Sequence, residues 1–558
     1  MNIRNDNVKT SIIKMDNFVR SEYNKSKKFL DYYAGKDVIT KINNVKNQVI
    51  YGRRGTGKTH LLRVLQETML DNYSKDRKLP IYIDMRNVKP FVSNDNPVYY
   101  ALVVFKELAL EFLKTIFENI DIIYDINPLD FNQRTYLSDK QIKLSKIFSE
   151  FNYKLEGNTF TKIGDIDFTI NEIKTISQKI TVSQEAALEL SNQNTRDIRT
   201  GQSRIKYLTF SQINDTISEL ISEIDSEGVF FLIDEWSEIP LEYQPIVSEL
   251  FKRAFITSSI TLKIAAIPNR TVLIKDNLGL EDGGDIFGYL LDNRYIYELN
   301  PELTKSFFNE LLFNHLYSND GITYRDFLDK KTNMPLKGFI NEFFANQAYR
   351  EILIASAGIP RDFINIFTNS YNVFIDRNGS QKRISVADIR TATVSWYETD
   401  KKKTVDANNN AKILLNKIIS DIIINRKRCH FLIPEKYENN KVLQDLIDLR
   451  VIHLRKKGIS HKDIKGVTYN VYYIDYACYT SSNIYHNRIN SDLLNEIETP
   501  DNFREIRRVA LDDKFFDSFM LDIGDSVKCP HCFKMIDINH MAYKKQNMCY
   551  HCFEKVGN

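Results

Sequence analysis

The chain has 558 residues, room for three or four domains at about 150 residues each. Its 43% hydrophobic content fills packed cores and excludes general disorder. No run of about 18 or more apolar residues is present, so no membrane span is expected. The net charge of +3 gives no global sign of a nucleic-acid partner, but residues 401–490 hold 17 Lys and Arg against 8 Asp and Glu. That is a local +9, which leaves −6 for the remainder and makes one C-terminal region distinctly basic. The start, Met1 to Asp6, has no apolar signal core. A reducing cytoplasm is therefore the expected setting, with the six cysteines as metal ligands or buried thiols.

Residues 1–40 are expected to form a helical linker. The first motif follows. Gly52, Arg53, Arg54, Gly55, Thr56, Gly57, Lys58 and Thr59 spell a complete G-x-x-x-x-G-K-[ST] loop. An apolar run, Val49-Ile50-Tyr51, leads in as a strand, and Leu61 to Leu65 leads out as a helix. Glycines let the backbone wrap a β-phosphate with its N–H groups inward, and the helix start adds partial positive charge. In this pattern Lys58 reaches the β/γ oxygens and Thr59 ligates Mg²⁺. ATP and Mg²⁺ are the expected cofactors.

A second strand is expected at Ile81–Asp84. The stretch from about 120 to 210 then separates it from the next strand by more than a compact core needs. It is either an arm for partner contact or a surface loop. The apolar run Gly228 to Ile233 suits a parallel strand buried on both faces and ends in Asp234-Glu235. Asp234 would hold Mg²⁺, and Glu235 would act as general base on the attacking water. A third buried strand, Leu262–Ile267, leads to Asn269, a polar residue placed to contact a γ-phosphate. A fourth strand is expected at Arg294–Leu299 to close an α/β parallel sheet. Beyond it, Gly358-Ile359-Pro360 ends one helix and starts another, which puts Arg361 near a helix N-terminus.

Gly-rich loop, Asp-Glu strand, polar strand tip and Gly-Ile-Pro-Arg-Asp, in that order, resemble the AAA+ ATPases. The nearest type is the origin-recognition (ORC/CDC-type) initiators and their bacterial relatives. The resemblance spans roughly residues 15–485. It implies a P-loop core over 41–300 and a helical lid over 301–400. It also implies that Arg361 acts as a second sensor of the γ-phosphate. An arginine finger from a neighbouring copy or a partner protein would complete the site, with Arg294 and Arg253 as this chain's candidates. Two rivals in other classes stay open: an ATP-gated STAND-like sensor, or a regulatory ATPase of a bacterial anti-phage defence system whose effector is another chain.

Residues 405–490 alternate helix and strand signals. Helices at Ala411–Ile424 and Lys441–Leu449 precede strands at Val451–Arg455 and Tyr469–Tyr476. Between the strands lie Arg455, Lys456, Lys457, His461, Lys462 and Lys465. Helices followed by a basic hairpin fit a winged helix, which binds DNA or protein. Cys429 and Cys478 read as packing residues. In the tail, 525–558, Cys529, Cys532, Cys549 and Cys552 form C-x2-C-x16-C-x2-C, the spacing of a closed structural Zn²⁺ site.

Overall fold

Apolar runs bounded by turns give the central strands. β1 (Gln48–Tyr51), β2 (Lys78–Asp84), β3 (Gly228–Asp234) and β4 (Ile260–Ala266) are joined through helical connections. After a short antiparallel pair, β5 (Ile274–Lys275) and β6 (Leu278–Gly279), comes β7 (Phe287–Leu290). The sheet order is β2-β3-β4-β1-β7, and all four pairings are parallel. Every residue of β3 and β4 is buried, as expected for strands covered on both faces. Even Lys263 in β4 is fully buried, its Nζ donating to Gln48 Oε1 at 2.6 Å and the Lys46 carbonyl at 2.7 Å. Burial pulls its pKa down to about 7.

The computed structural model describes residues 1–16, 29–88, 97–126, 136–147, 210–481, 484 and 509–556, apart from positions 257, 293, 346, 378 and 461–465. They fall into two compact units. One comprises Asn24–Gly52 and Gly57–Leu291 and contains the parallel sheet. The other comprises Met1–Tyr23, Arg53–Thr56 and Asp292–Asn558. Most of the 120–210 stretch lies outside the described residues; within it, Ile120–Tyr124 and 136–147 are helical.

The expected strand at Arg294–Leu299 does not form; the segment is a series of turns, and β7 closes the sheet beside β1 instead. Its apolar side chains are buried from turns rather than from an extended strand. Tyr295, Ile296, Tyr297 and Glu298 are all buried, and Tyr295 stacks on Phe307 at 3.6 Å between centroids. β7 escapes a hydrophobicity-based reading because Phe287, Gly288 and Leu290 are exposed on an edge strand.

The second unit holds the helices Pro301–Asn319, Ala348–Ala355, Pro360–Asp376 and Val386–Trp396. A three-stranded antiparallel sheet follows: β8 (His430–Pro434), β9 (Ile452–Ser460) and β10 (Thr468–Ile474), in the order β8-β10-β9. β8 adds a strand to the two expected. The helix expected over 411–424 runs Asn409–Ile418 and continues as π-helical turns over Ile419–Asn425. The tail carries β11 (Ser526–Lys528) paired with β12 (Met535–Asp537). Among the described residues, no helix is long and apolar enough to cross a membrane.

The Gly-Ile-Pro turn is fixed by sterics. Gly358 has φ +79°, and a Cβ there would sit 2.5 Å from the Tyr295 carbonyl oxygen. Gly358→Ala is therefore expected to cost more than about 1 kcal/mol. Thermal unfolding followed by circular dichroism should show a lowered midpoint; an unchanged midpoint would mean that the turn relaxes freely.

Candidate nucleotide site and metal centre

Parallel pairing puts the C-terminal tips of β1, β3 and β4 on one edge of the sheet, the edge where α/β folds bind ligands. Gly52 leaves β1, and Gly57 opens the helix Lys58–Asp71 with φ +90°. No atom lies within 4 Å of a Cβ built on Gly57, so the backbone there faces open space. Lys58 is 8% exposed, and its Nζ donates to the Gly52 carbonyl at 2.6 Å, which ties the two ends of the loop together. Thr59, in the first turn of that helix, is half-buried.

Asp234 ends β3 fully buried and accepts a hydrogen bond from Tyr82 Oη at 2.7 Å. Glu235 takes φ +52°, a left-handed conformation that is uncommon for a side-chain residue. Its amide donates to Asp234 Oδ1 at 2.9 Å. Burial raises the Glu235 pKa, and the Asp234 carboxylate raises it further; Lys58 and Arg86 oppose them. A carboxylate whose basicity is raised by burial suits proton abstraction from water.

The fully buried Gln244 locks the segment after Glu235 to the exit of β4. It donates to the Ile239 and Arg270 carbonyls at 2.8 and 3.0 Å, and it accepts from Trp236 Nε1 and the Val272 amide. Asn269 sits exposed in the single turn Pro268–Arg270 that this clamp positions.

In the other unit, Arg53–Thr56 meet the Gly-Ile-Pro-Arg turn. The Arg361 amide donates to the Gly55 carbonyl at 3.3 Å. A Cβ on Gly55 would lie 2.9 Å from Arg361 Cβ, so glycine is needed there for the approach as well as for its φ of +87°. The Arg53 amide donates to both carboxylate oxygens of Asp292, at 2.8 and 3.0 Å. Its side chain is buried and bonds His453 Nδ1 in β9. Arg54 is exposed. Of the two finger candidates, Arg253 is paired with Glu249 and Arg294 Nε donates to Tyr295 Oη at 3.2 Å.

The basic hairpin is only partly basic at its surface. Arg455 is 4% exposed, with its guanidinium 4.9 Å from the Tyr473 ring centroid. Lys456 and Lys457 are exposed, Lys457 pairing with Glu438. Irregular register explains the split. Leu454 faces Tyr472 while Lys456 faces Val471, so Arg455 is the extra residue of a bulge, and a second shift follows between Val471 and Tyr469, beside Lys457. His461, Lys462 and Lys465 lie outside the described residues.

The four tail cysteines converge, their sulfurs all within 4.8 Å of one another. Each pair forms the same knuckle. The His531 and Cys532 amides point at Cys529 Sγ at 3.4 and 3.5 Å, and the His551 amide points at Cys549 Sγ at 3.4 Å. Phe533 and Phe553 follow with φ +59° and +62°, and their amides return to the Cys529 and Cys549 carbonyls. Four thiols with inward amide donors fit a tetrahedral thiolate-bound metal. The imidazoles of His531 and His551 turn away to the Lys555 and Met535 carbonyls.

No protein-family model and no curated protein matches the chain. Solved structures that it is similar to include the Aeropyrum pernix ORC1 protein in complex with DNA, with 11% identity, 87% of this chain and 97% of that one covered, and a TM-score of 0.29. Drosophila ORC bound to DNA gives 10% identity, coverages of 86% and 91%, and a TM-score of 0.29. The Aeropyrum pernix ORC2 protein, in ADPNP–ADP complexes, gives 9% identity, coverages of 85% and 91%, and a TM-score of 0.31. The α/β parallel-sheet fold stands on the strand order and the loop-to-helix geometry.

The metal centre gives a direct test. Protein purified without chelator should hold one zinc per chain by elemental analysis, and Cys549→Ser should release it. Because metal binding is the folding energy of so small a segment, the variant should lose order only in the tail. Zinc retained in Cys549→Ser would assign the metal elsewhere.

Proposed function

We propose that the chain is a Mg²⁺-dependent ATP-binding and ATP-hydrolysing switch of the AAA+ type, acting on DNA or on a DNA-bound partner. The observation that carries this is Glu235, half-buried at the tip of β3 next to Asp234 and within the field of Lys58. A site that only binds nucleotide has no use for a carboxylate poised as a base. Mg²⁺–ATP would supply an electrophilic γ-phosphoryl group and charge neutralisation. Lys58 and the backbone at Gly57 bind the phosphates, Thr59 and Asp234 hold the metal, and Tyr82 orients Asp234. Glu235 takes the proton from water. Asn269 and Arg361 read the γ-phosphate in this scheme. Completion of the site by an arginine from a neighbouring copy follows the same resemblance.

Glu235→Gln should keep ATP binding and lower turnover by about 10²–10⁴-fold, the usual contribution of a positioned base. Lys58→Ala should lose both. A steady-state phosphate-release assay with a parallel binding measurement checks this; parental turnover in Glu235→Gln would remove the assigned mechanism.

The exposed pair Lys456 and Lys457 in β9, within a region of local charge +9, supports DNA as the polyanion. Substituting both by Gln should weaken duplex binding and reduce the log–log salt slope by about 0.9 for each phosphate that is no longer neutralised. Titration at several salt concentrations reads the slope. No change would favour a protein partner for this hairpin. Arg455 is excluded from the substitution because its removal would disturb a core position.

A further inference from the structure

Arg53 is the start of a buried chain of polar groups that no local sequence signal announces. Its guanidinium bonds His453 Nδ1; His453 Nε2 lies 2.8 Å from Asp475 Oδ2. The same oxygen receives Lys401 Nζ at 2.8 Å, and Lys401 lies 3.2 Å from Asp362 Oδ2. Asp362 also pairs with Arg450, which pairs with Asp400. Asp362 is the residue after Arg361, whose amide meets Gly55. The chain thus leaves the loop at Arg53 and returns to it at Gly55. His453, Asp475 and Asp362 are 0% exposed and Lys401 is 2% exposed.

His453 is the link with two faces. Burial and the adjacent Arg53 lower its pKa to about 3, so the ring is neutral. A neutral ring has one donor and one acceptor. Arg53 can only donate and the Asp475 carboxylate can only accept, which assigns Nδ1 as acceptor and Nε2–H as donor. Any displacement of Arg53 breaks one bond of a ring buried away from solvent, and an unmade bond is costly there. His453 is also the second residue of β9, the strand that carries Lys456 and Lys457 at its exposed stretch.

We propose that His453 is a positioning residue for the phosphate loop: through Arg53 it fixes the backbone of residues 53–56 and couples nucleotide binding to the β9–β10 hairpin. This rests on the assignment of residues 52–59 to ATP. By linkage, whatever the hairpin binds must change ATP affinity by the same factor as ATP changes its own.

The test uses the full chain carrying Glu235→Gln, so that ATP persists during calorimetry. His453→Leu, which removes both bonds, should weaken ATP binding by about tenfold, the scale of one hydrogen bond to a charged group. His453→Gln, whose amide can both accept from Arg53 and donate to Asp475, should regain most of the affinity. Arg53→Ala should match His453→Leu, and the double variant should be no worse than either. Hydrogen exchange of the peptide covering residues 53–56 should quicken in His453→Leu and Arg53→Ala and not in His453→Gln. Unchanged affinity and exchange in His453→Leu would overturn the proposal, as would additive losses in the double variant, because a merely structural role adds. If His453→Leu fails to fold, Arg53→Ala and His453→Gln decide by the same readouts. If the parent chain binds no ATP, the nucleotide assignment fails, while the exchange rates still decide whether His453 anchors the loop.

Discussion

A loop that is to bind phosphate with its amides cannot spend all of them on holding its own shape. Its conformation has to be imposed by groups that do not compete for the ligand. Here the imposed contacts fall on Arg53 and Gly55, two of the four positions between the motif's first glycine and its Gly-Lys-Thr end. Asp292 takes the Arg53 amide, His453 takes its side chain, and Arg361 closes against Gly55. The remaining glycine, Gly57, faces open space. The division is sensible chemically: one part of the loop is clamped, and the part leading into the Lys58 helix is left available.

The clamp is built from buried charges, which is costly unless each is matched. Arg53, Lys401 and Arg450 alternate with Asp292, Asp475, Asp362 and Asp400 through the neutral His453. Burial alone would raise the Asp475 carboxyl; the Lys401 ammonium and the His453 hydrogen bond hold it low instead. Burial likewise would lower Lys401, and Asp362 with Asp475 holds it up. Each group is charged because its neighbours are. Removing one member of such a set typically costs about 3–5 kcal/mol, since the other is left buried and uncompensated. Such sets are poor sources of net stability.

Local geometry was legible in the sequence wherever the signal is short-range. The loop from Gly52 to Thr59, the acidic end of β3 and the cysteine spacing are read within a few residues of chain. Strands were legible where burial is two-sided, as in β3 and β4, although β4 starts two residues before the expected Leu262. The failures have separate causes. Arg294–Leu299 looks like a strand because its apolar residues sit in a row, but Tyr295 is committed to stacking against Phe307. β7 looks like a loop because an edge strand can expose Phe287 and Leu290. The buried network was invisible because Arg53 and His453 are 400 positions apart, and neither carries a local pattern. Asp362 was seen only as the neighbour of Arg361.

β9 shows how irregular register, shifted at two places against β10, can separate two uses of positive charge. In a regular strand successive side chains alternate faces, so Arg455 and Lys457 would share one and Lys456 would take the other. The bulge at Arg455 breaks that alternation. Arg455 turns to the ring of Tyr473, while Lys456 and Lys457 are both exposed. The inward half of β9, from His453 to Arg455, is then committed to the core that grips Arg53. The outward half presents the cations. A shift of the whole strand by one residue would exchange these roles and bury a lysine in place of Arg455.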